Sequence, residues 1–168
     1  MPESILVADS SPLIAFARIN QLNLLPKLFS TILVPPEVWD EVTQRGVARP
    51  GAQEVGKATW IETRTPDRLA VKSLSILVHR GEAEVIALGC ELPNCVLLLD
   101  DSKARRVAEK FNIRRIGTLG LLRRAKQLGL LDRVPPLLDM LRESNIYIRK
   151  ELLDAVLKDV GELGLDGN

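Results

Sequence analysis

The sequence has few of the residues on which several enzyme classes depend. It contains a single histidine, His79, and the sequence pattern pairs no serine or cysteine with this residue. A nucleophilic triad is therefore not expected. Its two cysteines, Cys90 and Cys95, do not form a C-x-x-C motif and have no histidine nearby. This spacing argues against a structural zinc site and predicts reduced core thiols, as in cytosolic proteins.

Long apolar runs and glycine-rich phosphate loops are also missing. No run approaches the roughly 18 apolar residues of a membrane span, and the first residues lack the basic and apolar segments of a signal peptide. We therefore expect a cytoplasmic protein with no membrane partner. The segment GTLG at residues 117–120 matches neither phosphate-loop motif, and Ser10 rather than glycine follows the first apolar run. Both features argue against a dinucleotide-binding protein.

The composition is that of an ordinary globular protein. The chain has 168 residues, of which 46% are hydrophobic and 27% charged, and this length suits one domain with a sizeable core. The net charge is only +1, but residues 101–130 contain nine basic and two acidic side chains. This basic block is either a solvated helix face or a rim that attracts phosphates beside an acidic centre.

Short apolar runs alternate with segments of helical periodicity. Runs rich in Val, Ile and Leu predict buried strands at residues 4–9, 31–34, 60–63, 96–99 and 113–116. Helices are predicted from residues 10 and 35, at 22–29, 67–78, 81–92, 102–111 and 119–128, and twice within 134–163, with a loop or weak helix at 45–58. This alternation predicts an α/β fold, a three-layer α/β/α sandwich with a central parallel sheet. We expect it to span residues 1–130, with a C-terminal helical extension, residues 131–168, packed on the same domain.

Acidic residues follow two of the predicted strands. Asp9 ends the first run, and Asp100 and Asp101 follow the run at residues 96–99. Open α/β sheets bind ligands at the carboxyl ends of their strands, so these carboxylates are expected to converge. Crowded carboxylates repel one another unless a cation or a proton separates them. The pattern therefore predicts a divalent-metal site.

Helix capping is the alternative role for these aspartates. Asp9 precedes a predicted helix, although Ser10 and Ser11 are also good caps and would leave Asp9 free for other work. One of Asp100 and Asp101 is expected to cap the later helix, which leaves the other available.

A second acidic pair lies in the segment GEAE at residues 81–84. Two residues apart on a helix, Glu82 and Glu84 point about 200° away from each other, so at most one of them faces a common site. Acids in a first helical turn also complement the helix dipole, which is the alternative for both. Glu41 lies on the helix after the second strand, and its position alone predicts a solvated surface residue.

Four segments together resemble the motifs of PIN-domain nucleases. They are VADSSPLI at 7–14, VPPEVWDEV at 34–42, GEAEVIAL at 81–88 and LLLDD at 97–101. The resemblance covers about residues 4–128 and the helical tail. The strings GEAE, LLLDD-x-x-AR and GTLG look like one prokaryotic subgroup of otherwise unknown function, related to VapC-type toxins.

The resemblance implies four acidic catalytic residues, Asp9, Glu41, Glu82 and Asp100. The usual separation of the last two acids in the family favours Glu82 over Glu84. The implied activity is a ribonuclease that depends on Mg²⁺ or Mn²⁺ and has three or four carboxylates. Asp9 and Asp100 would be direct ligands, Glu82 would bind directly or through water, and Glu41 would orient a water or a second ion.

Other residues are expected to assist this site. Asp101 is a further candidate ligand beside Asp100. The supporting residues are Ser11, Glu84 and Thr118. Ser11 and Thr118 are expected to form hydrogen bonds to the metal ligands or to the phosphate. The residues expected to hold the RNA backbone are Lys103, Arg105, Arg106 and Arg123.

The toxin-like subgroup implies two kinds of protein partner. Such toxins are usually neutralised by a small antitoxin that inserts a segment into the active-site groove, and they commonly form homodimers. We expect an apolar face around Leu22, Leu24 and Leu25 to serve that association.

One departure from the family keeps a second function open. Many members carry a further acid about one strand after Asp100, where this chain has Thr118. The alternative is therefore a catalytically degenerate PIN-like module that binds RNA or a protein partner. A receiver-like phospho-acceptor domain is a third interpretation, but such domains place paired acids after the first strand, and here the pair follows a later one.

Overall fold

A central parallel sheet organises the protein. The computed structural model describes residues 4–144, 146 and 148–162, and these contain a five-stranded sheet with parallel pairing throughout. The strands are β1 (Ile5–Ala8), β2 (Thr31–Val34), β3 (Ile61–Thr63), β4 (Val96–Leu98) and β5 (Arg114–Ile116). Each lies within the segment predicted for it, and the predicted α/β fold with a parallel sheet flanked by helices is confirmed.

Ten α-helices connect and flank the strands in the described part of the chain. They are α1 (Ser10–Arg18), α2 (Leu24–Leu28), α3 (Pro36–Asp40), α4 (Ala52–Lys57), α5 (Arg68–Leu74), α6 (Arg80–Glu91), α7 (Ser102–Lys110), α8 (Thr118–Gln127), α9 (Pro135–Glu143) and α10 (Lys150–Asp159). A π-helical turn, Glu41–Arg45, directly follows α3. None of the described helices has both the length and the apolar composition required to span a bilayer.

The strand order places one crevice at the middle of the sheet. The order is β3-β2-β1-β4-β5, so the chain builds outwards from β1 on one side and then returns to add β4 and β5 on the other. Open α/β sheets bind ligands where the order reverses, outside the carboxyl ends of the strands. Here that point lies between β1 and β4, which precede Asp9 and Asp100.

The core is continuous across the sheet and its helices. Leu6 and Val7 of β1 and Leu97 and Leu98 of β4 have no solvent exposure. Such burial of successive residues is typical of central parallel strands that are covered on both faces. The two strands that border the crevice therefore belong to the buried centre of the sheet.

The predicted dimer face does not exist as a free surface. Leu22, Leu24 and Leu25 are 8%, 2% and 0% exposed, and all three belong to the hydrophobic core. The placement of an interface at these side chains is wrong, because the periodicity that marked them as apolar reflects packing within the chain.

A buried carboxylate fixes the end of the described chain. Glu162 is 4% exposed; its carboxylate accepts the Val134 N–H at 2.9 Å and lies 3.5 Å from Lys126 Nζ. Leu138 of α9 and Leu153 of α10 meanwhile join the common hydrophobic core. The last two helices thus contact the rest of the fold through both apolar and charged groups.

Replacing Glu162 with alanine is expected to lower the free energy of unfolding by about 2 kcal/mol, because the buried Val134 N–H loses its charged acceptor. Urea denaturation of the full chain measures the change. Glu143→Ala, at an exposed position on α9, is the matched control and should change it by less than about 0.5 kcal/mol. Equal effects of the two substitutions would contradict a stabilising role for the Glu162 contact.

Candidate active site

Asp9 lies in the crevice because it directly follows β1. Its backbone N–H extends the sheet by donating to the Leu98 carbonyl at 3.1 Å, and the residue is 6% exposed. Asp9 occupies the N-cap position of α1, but its side chain forms no capping hydrogen bond. Because α1 begins at Ser10, the expectation that Ser10 or Ser11 caps this helix is wrong. The Asp9 carboxylate is nevertheless free of a capping role.

The charges of three other predicted acids act on the Asp9 carboxylate. Its pKa is raised from 3.8 to about 7, chiefly by burial; the Ser10 backbone N–H opposes this, and the charges of Glu82, Glu41 and Asp100 add to it. Charges influence one another this way only at short range. A buried carboxylate with like charges nearby is typical of sites that bind a cation or handle a proton.

Asp100 is held by a residue of the next strand–helix turn. Thr118 donates its backbone N–H to Asp100 Oδ1 at 2.8 Å, and its hydroxyl donates to Asp100 Oδ2. Gly117 makes this approach possible, since a Cβ there would lie 3.0 Å from Asp100 Oδ1 and 3.1 Å from Arg105 Nη1. Thr118 therefore fixes both oxygens of one predicted metal ligand.

Asp101 caps the helix that follows. Its Oδ1 accepts the Ala104 N–H at 2.8 Å, at the start of α7. Of the adjacent pair, Asp101 is thus the capping residue, as one of the two was expected to be, and Asp100 is the carboxylate left for the crevice.

Glu82 and Glu84 face different surroundings, as their helical spacing predicts. Glu82 closes a capping box at the start of α6, where its Oε2 accepts the His79 N–H at 3.0 Å. Partial burial raises its pKa, the His79 backbone N–H lowers it, and the charges of Asp101 and Glu41 raise it again. Glu82 therefore belongs to the acidic cluster.

Glu84 has a positioning role instead. It is 6% exposed, and its Oε2 accepts the Glu37 N–H at the start of α3 at 2.9 Å. Its other oxygen lies 3.7 Å from Arg80 Nε. This contact ties α6 to α3, the helix that leads directly into Glu41.

Glu41 opens the π-helical turn beside the crevice. It packs against the first turn of α6, where a Cβ on Gly81 would lie 3.2 Å from Glu41 Oε1. A side chain at position 81 would therefore press on this carboxylate. Single π-helical turns occur frequently at functional sites, because they shift side chains out of the regular helical register.

The geometry agrees with a comparison with known protein families. A family model described as a PIN domain matches residues 5–162. This chain belongs to the PIN-domain family. PIN domains are generally nucleases that act on RNA, and they typically use divalent metals. The predicted family is confirmed, whereas the VapC-like subgroup stays a prediction. No curated protein matches the chain.

The donor groups of this PIN-domain site suit a hard divalent cation. Carboxylate oxygens are the ligands that Mg²⁺ and Mn²⁺ prefer. Burial is the main cause of the raised pKa of Asp9, and the nearby carboxylates that add to it supply negative charge that a cation would compensate. Among the residues that the structure describes, no three His, Cys, Asp or Glu side chains form a group that could enclose an ion. Mg²⁺ usually keeps several waters and takes one or two carboxylates directly, so a closed cage is not required.

Two of the four residues predicted to bind RNA are used within the fold. Arg123 pairs with Asp159 of α10 at 2.8 Å, and Arg105 Nη1 donates to the Leu99 carbonyl at 2.8 Å. Lys103 and Arg106 lie exposed on α7. The basic block is therefore partly structural and does not present all four side chains as one free surface.

A second basic feature of this PIN domain was missed by sequence reasoning. A groove of about 430 Å³ lies between α1 and the π-helical turn, and Ser10, the residue after Asp9, is among its lining residues. We call it the arginine groove, and its polar lining residues are Ser10, Ser11, Arg18, Glu41, Arg45 and Arg49. Its three arginines lie far from the basic block in sequence, and Arg18 is also far from Arg45 and Arg49, so no single charge run signals them.

The raised pKa of Asp9 predicts a pH-dependent stability. Between pH 3.8 and about 7, Asp9 binds more protons in the folded state than in the unfolded state. The contribution of Asp9 to the free energy of unfolding therefore falls as the pH rises through this window, and it stays low above about pH 7. Asp9→Asn removes the charge and should stabilise the protein at pH 8 by on the order of 2–4 kcal/mol. The gain should shrink as the pH falls towards 4.

Urea denaturation at pH 5 and pH 8 measures this difference, with Asp132→Asn as an exposed control. A gain from Asp9→Asn that is the same at both pH values would show that burial and charge clustering do not perturb Asp9.

Proposed function

We propose that this protein is a ribonuclease that depends on Mg²⁺ or Mn²⁺ and hydrolyses RNA phosphodiester bonds at the crevice between β1 and β4. Its membership of a family of nucleases supports the reaction class. The observation that carries the proposal is the buried Asp9 carboxylate, whose pKa of about 7 reflects burial together with the charges of Glu82, Glu41 and Asp100.

In this proposal Asp9, Glu82 and Asp100 would hold the metal ion, and Asp101, which was also predicted as a ligand, would instead keep its role as the cap of α7. When bound, the ion supplies a water of lowered pKa for attack on phosphorus and stabilises charge on the leaving oxygen. Glu41 would orient a water, since it lies in the same cluster but belongs to the separate π-helical turn.

The protein groups around these acids have distinct tasks. Asp9 carries a proton at neutral pH for part of the time, and it would give up that proton on binding a cation. Thr118 holds Asp100 in one orientation through two hydrogen bonds, which limits the reorganisation that this ligand needs. Glu84 keeps Glu41 near the cluster by joining α3 to α6.

Cleavage of a labelled structured RNA tests the proposal. Wild-type protein should cut with Mg²⁺ or Mn²⁺ and not with EDTA, and Asp9→Asn or Asp100→Asn should lower the rate at least about 100-fold, because each removes a charged ligand. Asp132→Asn, exposed and distant from these strand ends in sequence, should cut like the wild type. Cutting that survives in a folded Asp9→Asn variant would overturn the assignment.

The two glutamates of α6 offer a matched pair within the same assay. Glu82→Gln should reduce cleavage strongly with little loss of stability. Glu84→Gln should mainly lower the free energy of unfolding, because its carboxylate is buried and bonded to the Glu37 N–H. If Glu84→Gln abolished cleavage and Glu82→Gln only lowered the stability, Glu84 rather than Glu82 would belong to the catalytic site.

A second candidate function is a PIN module that binds RNA without cutting it. Two observations favour it: no closed ligand group exists among the described residues, and Thr118 already occupies both oxygens of Asp100. This candidate requires that the protein bind the labelled RNA equally well with and without EDTA. It also requires that the wild-type protein show no metal-dependent cleavage.

The toxin role, an antitoxin partner, homodimerisation and a cytoplasmic location stay predictions from the resemblance and from composition. The site proposed here does not depend on any of the four.

A further inference from the structure

The π-helical turn that carries Glu41 is an irregular piece of backbone. It spans Glu41–Arg45 and directly follows α3. The Thr43 hydroxyl donates to the Trp39 carbonyl at 2.8 Å, four residues back, a contact that often bends helices. Because rare backbone forms of this kind persist only where the surrounding structure determines them, neighbouring contacts have to hold this turn.

Arg45 ties the end of the turn back to the start of α3. Its Nη2 donates to Glu37 Oε1 at 2.8 Å and to the Glu37 carbonyl oxygen at 3.3 Å. Glu37 is itself fixed, because its backbone N–H donates to Glu84 Oε2 at 2.9 Å. The contacts that run from Arg45 through Glu37 to Glu84 therefore span the turn and anchor it on α6.

The Arg45 guanidinium also lies within electrostatic range of Glu41. The hydrogen bond to Glu37 is the main cause of the raised pKa of Arg45, and the charges of Glu37, Glu41 and Asp40 add to it. The Arg45 side chain is 57% exposed, and exposed ion pairs contribute little to the free energy of unfolding. The effect of Arg45 on the position of the turn can therefore be measured separately from its effect on folding.

Gly46 lets the chain fold back on the backbone of Glu41. A Cβ at this position would lie 2.6 Å from the Glu41 carbonyl oxygen and 3.2 Å from the Val42 carbonyl oxygen. The first distance is shorter than van der Waals contact allows, so a side chain here would displace the turn. The φ angle of Gly46 is −99°, which any residue can adopt, so it is the lack of space that favours glycine.

We propose that Arg45 and Gly46 are positioning residues for the cleavage reaction, and that together with Glu37 they hold the π-helical turn so that the Glu41 carboxylate lies beside Asp9. Neither residue needs to touch the reacting atoms, since both act through Glu41. The inference rests on the proposed function, because it assumes that Glu41 takes part in cleavage.

Cleavage of the labelled structured RNA with Mn²⁺, with kcat and KM measured separately, tests these contacts. Arg45→Ala removes a positive charge, Glu37→Ala removes a negative charge, and Gly46→Ala leaves the charge unchanged. All three should lower kcat about tenfold and leave KM within about twofold, because small displacements of a catalytic group slow the chemical step. Urea denaturation checks that each variant is folded in the assay. If Gly46→Ala does not fold, the two variants of opposite charge still decide the question.

Three further variants separate positioning from the loss of charge. Arg49→Ala removes a positive charge from an exposed position four residues further on, and it should keep kcat within about twofold. Arg45→Lys keeps the charge and can still donate to Glu37, so it should restore part of kcat. The double variant Glu37→Ala/Arg45→Ala should be no slower than either single variant, because the two side chains form one contact.

The same measurements distinguish failure of this inference from failure of the proposed function. Metal-dependent cleavage by the wild type with unchanged kcat in Arg45→Ala and Glu37→Ala would overturn the inference and leave the nuclease intact. An equal loss of kcat in Arg49→Ala would do the same, because it would assign the effect to positive charge alone. A wild type without metal-dependent cleavage would overturn both.

Discussion

The burial of the Asp9 carboxylate among other acids is the constraint on which the site depends. A carboxylate that is 6% exposed beside Glu82, Glu41 and Asp100 costs free energy in the ionised form, and this cost appears as a pKa of about 7. The sheet determines where this happens, because its strand order reverses between β1 and β4. A cation at this position would remove the repulsion, which is why the geometry suits a metal-dependent nuclease of the PIN family.

The surrounding contacts keep the acids close together in spite of their charge. Thr118 binds both oxygens of Asp100, and Glu84 fixes α3 against α6 and so limits where Glu41 lies. Gly81 and Gly117 provide the close approach, since a side chain at either would press on Glu41 or Asp100. The site is therefore built from polar contacts between turns on a rigid apolar sheet.

The sequence predicted what local patterns determine. Buried strands show as apolar runs, and the aspartates that follow them mark the carboxyl edge of the sheet, so the positions of Asp9 and Asp100 at the strand ends were predicted without a structure. The opposed directions of Glu82 and Glu84 follow from helical geometry alone. The arginine groove, the pairing of Arg123 with Asp159 and the burial of Leu22 were missed, because each depends on contacts between segments distant in sequence.

Titration of Mn²⁺ into the protein, followed by the loss of the free-ion signal in electron paramagnetic resonance, tests the central claim most directly. We expect the wild type to bind Mn²⁺ at pH 8, and we expect this binding to weaken as the pH falls below about 7, because Asp9 becomes protonated there. Asp9→Asn should lose the binding, and Asp132→Asn should retain it. Equal binding by Asp9→Asn and the wild type, or no binding by either, would contradict a single cation site formed by these carboxylates.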